Sequence, residues 1–179
     1  TARAKGKVGL MVTGGIAPNI EGAVLPGAAA LITDVEIANH KIVTTSVKKY
    51  GAKILMQILH AGRYAYSKAA VAPSAIKSPN TPIMPKEIDE EGIIKQINDI
   101  VDTAKRAKEA GYDGVEIMGS EGYLINQFIV THTNRRTDSW GGSYENRIKF
   151  PIEIVKKVRQ AVGEKFIIMF RLSMIDLIP

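Results

Sequence analysis

The chain has 179 residues, 45% of them hydrophobic, which is ample for one globular core. No run approaches the roughly 20 apolar residues of a membrane span, no secretory signal pattern opens the chain, and the lack of cysteine excludes disulfides and thiolate metal sites within it. The net charge of +6 comes from scattered basic residues such as Lys156, Lys157 and Arg159, without the aromatic interleaving of an RNA-binding surface, so it reads as the solvated faces of helices.

Lys7–Thr13 is short, apolar and bounded by glycines, as a buried strand should be. A loop with Gly and Pro punctuation follows, through Gly14, Gly15, Pro18 and Gly22–Ala30. Asp34 can cap a helix with Val35, Ala38, Ile42 and Val43 as its apolar positions, and Gly51 ends it. Ile54–Leu59 is the second strand. Its Gln57 is a lone amide in an apolar run, and a buried amide must find partners, so a ligand contact is attractive there. His60 closes that strand and is expected to tie a loop by hydrogen bonds. Residues 64–88 form a long loop with Pro73, Pro79, Pro82 and Pro85.

Asp89 is a good N-cap, with Glu90 and Glu91 in the first turn. Ile93, Ile97, Ile100, Ala104 and Ala107 then recur at three-to-four spacing, which predicts an amphipathic helix ended by Gly111. Gly114–Met118 is the third strand. It runs through Gly119, Ser120, Glu121 and Gly122 into a short apolar run and a long polar loop. In that loop Asn134, Arg136, Asp138 and Trp140 are expected to lock the chain, and His132, like His40 earlier, to lie at the surface. A helix follows from about Tyr144, with Ile148, Ile152, Val155, Val158 and Val162 as its buried stripe and Pro151 bending it or marking its first turn. Phe166–Arg171 is the fourth strand.

Strands alternating with helices imply a parallel sheet with right-handed crossovers. Gly14-Gly15 is not a phosphate-loop fingerprint, so a doubly wound dinucleotide fold is disfavoured. Each strand ends in a polar, motif-like loop, which favours a TIM (β/α)8 barrel. Four strands make about half of one, and the chain is expected to be a piece of a longer protein. If Gln57, Met118 and Arg171 point into the barrel, side-chain parity sends Gly15 and Glu116 there too. Such a ring would floor a flat ligand with carbonyls and ring nitrogens, with Arg171 stabilising developing negative charge. A buried Glu116 would need a partner, either Arg171 or a backbone donor.

The stretches QILHAGR (Gln57–Arg63), GVEIMGSEGYLINQF (Gly114–Phe128), TNRRTDSWGGSYENR (Thr133–Arg147) and FRLSM (Phe170–Met174) together resemble the old yellow enzyme family. The resemblance is nearest to bacterial 2,4-dienoyl-CoA reductases and related NADH:flavin oxidoreductases. It implies that residues 1–179 form a partial FMN-binding TIM-barrel domain, about strands two to five. It implies an FMN-dependent oxidoreductase that takes hydride from NAD(P)H and passes it to an activated C=C bond, of a 2,4-dienoyl-CoA or an enone. Gln57 then matches the glutamine at the pyrimidine edge of the flavin, Arg171 the arginine beside N1 and O2, and Gly15 a close backbone approach. Tyr123 matches the tyrosine that protonates substrate carbon, although from its position alone a packing role is equally good. Met118 and Glu121 occupy the substrate-facing positions where many members hold a carbonyl with a His/His or His/Asn pair, which argues against a simple enone reductase. The resemblance also implies small-molecule substrates and allows a 4Fe-4S centre and FAD held outside this chain and a homo-oligomer; composition points to no nucleic acid or membrane partner and a cytoplasmic location. Two other readings stay open: a flavin-independent phosphate-ligand barrel, a lyase or synthase with Glu116 as base, and an inactive barrel fragment.

Overall fold

A computed structural model describes residues 1–176. The last three residues of the expected domain, 177–179, lie outside the described residues. Strands β1 (Leu10–Ile16), β2 (Lys53–Ile58), β5 (Gly114–Gly119) and β6 (Ile167–Leu172) form one parallel sheet in that order. The crossovers run through α2 (Asp34–Lys48), α3 (Glu90–Glu109) and α5 (Tyr144–Val162). The expected alternation is therefore present, with each strand displaced by up to a few residues from the predicted span. The chain also forms a short helix α1 (Ala2–Lys5), a parallel pair of two-residue strands β3 (Val71–Ala72) and β4 (Lys86–Glu87) inside the long loop, and helix α4 (Leu124–Ile129). None of the helices among the described residues is long and apolar enough to cross a membrane.

One face of the sheet is covered by helices. Ile54, Met56, Ile58, Val115 and Ile117 pack there against Ile93, Ile97, Ile100, Ala104 and Ala107 of α3 and Ile154, Val158 and Val162 of α5. Each aliphatic side chain removed from water in this way contributes roughly 1.5–3 kcal/mol. The α3 stripe is the one expected from its spacing. Asp89 caps α3, its carboxylate accepting from Gly92 N at 2.8 Å.

The other helices depart from expectation. Thr33, not Asp34, is the N-cap of α2, and the Glu36 carboxylate reaches back to accept from Thr33 N at 2.6 Å. The core face of α2 is Ile37, Thr44 and Val47, while Val35, Ala38, Ile42 and Val43 are exposed. Thr44 wins a core position because its hydroxyl donates to Ala110 O at 2.7 Å, which removes the cost of burying it. His40 is half-buried rather than superficial, with Nδ1 2.8 Å from the Tyr112 hydroxyl. In α5 the deepest residues are Phe150, Pro151, Ile154, Val158 and Val162. Ile148 and Ile152 instead line an apolar groove with Ile129, Phe170 and Leu172, while Val155 is partly buried against the core at the groove's edge. Pro151 lies inside α5 and does not mark its first turn.

Candidate functional site

The opposite face of the sheet carries the polar side chains. Parallel pairing sets Gly15 beside Gln57, Gln57 beside Glu116, Glu116 beside Met169, and Met118 beside Arg171. Gly15, Gln57, Glu116, Met118 and Arg171 thus share one face, as side-chain parity required. β1 reaches this alignment through a bulge between Val12 and Gly15. There Gln57 N donates to the Thr13 hydroxyl at 3.0 Å, so a side chain replaces the ladder acceptor that the bulge displaces. A β-carbon on Gly15 would lie 2.7 Å from Leu59 Cδ1. Packing against Leu59 alone therefore requires glycine at this position.

Glu116 is the hub. Its side chain is 3% exposed, against 45% for Arg171, so the buried charge of the pair is the carboxylate. Oε1 accepts from Gln57 Nε2 at 2.7 Å and from Arg171 Nε at 3.1 Å, and Oε2 is 3.4 Å from Arg171 Nη2. Arg171 was an expected partner; Gln57 was not. The same carboxylate holds the Arg171 guanidinium still more firmly in its charged form. Glu121 lies at φ +62, a strained value for a residue with a side chain, and its carboxylate is 3.8 Å from Arg171 Nη1.

At the strand ends Met118 is buried in a small apolar cluster with Leu59, Ala61, Ala65 and Ala70, and Tyr123 packs against it. Tyr123 is the N-cap residue of α4 and meets the Tyr64 ring edge-on, with centroids 5.8 Å apart. Gly122, before it, has φ +76, and a β-carbon there would lie within 3 Å of the Tyr64 ring. The two strand-end segments are joined by Gln127, which sequence reasoning missed. Its Oε1 accepts from Arg63 N at 3.1 Å, and its Nε2 donates to Gly122 O at 2.6 Å. Leu124 N donates to His60 O at 3.0 Å across the same join. The signal for Gln127 was available: with Asn126 it forms an adjacent amide pair inside an apolar run.

His60 is buried, and its Nδ1 accepts from Gly62 N at 3.1 Å. Burial lowers its pKa to about 4, and protonating Nδ1 would set two N–H donors against each other. The polar loop is locked as expected. Asn134 Nδ2 donates to Phe128 O at 2.7 Å and Trp140 O at 2.8 Å, and Trp140 is buried against Phe150. Arg136 pairs with Asp138, holding that carboxyl below its ordinary pKa, and donates to Pro73 O at 3.1 Å, docking the 64–88 loop. His132 is exposed.

A four-stranded parallel sheet with helices on one face and convergent polar groups on the other is a segment of a TIM-barrel enzyme scaffold. The chain belongs to the NADH:flavin oxidoreductase / NADH oxidase family, matched along residues 1–179, which is the old yellow enzyme family. It is 42% identical over 181 residues to a metal reductase of Desulforamulus reducens, covering 99% of this chain and 27% of that protein. It is 38% identical over 160 residues to an NADPH dehydrogenase of Bacillus subtilis, covering 89% and 47%. Among solved structures, morphinone reductase superposes with a TM-score of 0.87 at 30% identity, over 93% of this chain and 50% of that one. A 2-naphthoyl-CoA reductase in complex with 2-naphthoyl-CoA gives 0.88 at 34%, over 95% and 28%. The chain thus spans between about a quarter and a half of the length of these relatives.

Proposed function

We propose that this chain supplies the flavin-facing part of an FMN-dependent oxidoreductase that uses NAD(P)H to reduce an activated C=C bond. The observation that carries the proposal is the convergence of Gln57, Glu116 and Arg171 on the uncovered face of the sheet, Gln57 and Arg171 near the C-terminal ends of their strands and Glu116 mid-strand between them. That donor set suits the edge of a ring with alternating carbonyl oxygens and ring nitrogens. Gln57 offers an amide that can accept as well as donate, and Arg171 offers a half-exposed guanidinium. FMN, when bound, would supply the hydride-transfer chemistry that no side chain can. Gln57 and Arg171 would hold its edge, and the Gly15 backbone would approach it.

Tyr123 would be the proton donor to substrate carbon. It stands at the strand-end mouth, and its ring is held by Tyr64 and the Met118 cluster. A neutral phenol is a suitable acid at pH 7. Met118 and Glu121 would face the substrate. Neither offers the neutral N–H of a carbonyl-clamping histidine or asparagine, which favours an unsaturated acyl thioester such as a 2,4-dienoyl-CoA over a simple enone. A 4Fe-4S centre and FAD would be held by protein outside this chain, and a cytoplasmic location goes with this reading. The use of Glu116 as a general base in a flavin-free lyase is disfavoured, because both its oxygens are engaged by Gln57 and Arg171.

The visible spectrum of the protein expressed from its native reading frame tests the proposal. A flavin band that bleaches on anaerobic addition of NADH or NADPH is expected. A colourless protein that also fails to take up added FMN would overturn the cofactor assignment.

A further inference from the structure

We infer that Glu116 is a positioning residue: it fixes which hydrogen-bonding edges Gln57 and Arg171 present at the candidate site, and it sets the net charge there. This rests on the FMN reading above. An ionised carboxylate can only accept, so the Gln57 amide must turn its NH2 toward Glu116, at 2.7 Å. Its carbonyl oxygen then faces away, as an acceptor of fixed direction. Without Glu116 the amide could flip, because nothing in the shape of glutamine distinguishes its two ends. On the other side, Glu116 occupies the Nε and Nη2 edge of Arg171 and leaves the Nη1 side exposed, with the Glu121 carboxylate 3.8 Å from it. It also places one negative charge against that guanidinium. Arg171 therefore meets a bound ring as a paired rather than a bare cation, held chiefly by the buried Glu116 and more loosely by the exposed Glu121, and its pull on negative charge is tempered accordingly. Glu116 touches neither substrate nor cofactor in this scheme and acts through its two neighbours.

The test uses the protein expressed from its native reading frame, with FMN as the probe. Glu116→Gln removes the charge and lets the Gln57 amide pair in either sense. FMN, followed by fluorescence quenching, is expected to bind about tenfold more weakly or worse, the scale of a hydrogen bond to a charged group. The midpoint potential of the remaining bound flavin is expected to rise, since Arg171 loses the nearer and buried of its two carboxylates and keeps only the exposed Glu121, 3.8 Å from Nη1. A merely structural Glu116 would not move that potential. Gln57→Leu should also weaken FMN, and the double variant should lose less than the sum of the two single losses.

Wild-type affinity and potential in Glu116→Gln would overturn the inference, as would fully additive losses. If Glu116→Gln does not accumulate folded, Glu116→Asp carries the test. It keeps the charge but falls one methylene short, so affinity should drop while the potential stays, and wild-type affinity there would equally overturn the role. If the wild-type protein takes up no FMN, the cofactor reading falls and this inference with it. If it binds FMN and Glu116→Gln matches it, only the role of Glu116 falls.

Discussion

Gln57 and Glu116 meet side chain to side chain across neighbouring parallel strands, with amide nitrogen and carboxylate oxygen 2.7 Å apart and the carboxylate 3% exposed. In a sheet covered on its other face by aliphatic residues, this pair and Arg171 account for the polar character of the uncovered face. A charge buried this deeply is tolerated because each of its oxygens is engaged.

Replacing Tyr123 by Phe should separate two half-reactions. Reduction by the nicotinamide should be unaffected, because the phenol oxygen has no part in it. Turnover of the unsaturated substrate should slow by on the order of a hundredfold or more, the usual scale for a general acid. Stopped-flow absorbance resolves the two phases. A wild-type oxidative half-reaction in Tyr123→Phe would remove Tyr123 from the role of donor.

Gly122→Ala places a side chain at φ +76 and drives its β-carbon into the Tyr64 ring. The backbone strain costs roughly 1–2 kcal/mol and the overpacking a further 1–3. Urea unfolding should show a loss above about 2 kcal/mol. An unchanged midpoint would mean that Tyr64 is free to move away and does not fix the Tyr123 segment.

His60 makes stability pH-dependent in a defined window. Its pKa falls from 6.5 to about 4 on folding, because burial disfavours the charged ring. Between those values the unfolded chain binds a proton that the folded chain does not, so stability falls as pH drops from 6.5 toward 4, by up to about 3 kcal/mol. His60→Asn keeps an acceptor for Gly62 N and cannot titrate there. Its stability should change less across that window, as measured by denaturant unfolding at each pH. Parallel curves for the two proteins would contradict the burial of a neutral imidazole.

Expressed as residues 1–179, the chain should bind FMN weakly and self-associate. Among the described residues β1 and β6 are the edges of the sheet, each with an unpaired row of backbone groups. Leu10, Ile167 and Leu172 on those edges are exposed. Sedimentation and fluorescence quenching report both properties. Tight, stoichiometric FMN binding by a monomer would contradict this expectation.

Much of this arrangement was legible in the sequence where a residue had to satisfy a strict rule. The α3 stripe, the Asp89 cap and the parity that puts Gln57, Glu116, Met118 and Arg171 on one face all follow from periodicity. The α2 face was misread because Thr44 enters the core by donating to Ala110 O, a tertiary partner that spacing cannot reveal. Ile148 and Ile152 were misplaced for a related reason: an apolar residue in α5 can line an open groove as well as a core. The bulge that lets Thr13 serve Gln57 left no local mark beyond a Gly pair. Gln127, with Asn126 beside it, is as conspicuous among apolar neighbours as Gln57, but it sits in a run of six helical residues too short to be read as a helix.

The most direct measurement is FMN occupancy and midpoint potential in Arg171→Ala, made on the protein expressed from its native reading frame. If FMN lies over the face of Gln57, Glu116 and Arg171, removing the guanidinium leaves a buried carboxylate without its cation beside the flavin. The variant should lose flavin on purification, or retain it at a lower potential than wild type. Full occupancy at an unchanged potential would place the flavin, or Arg171, elsewhere.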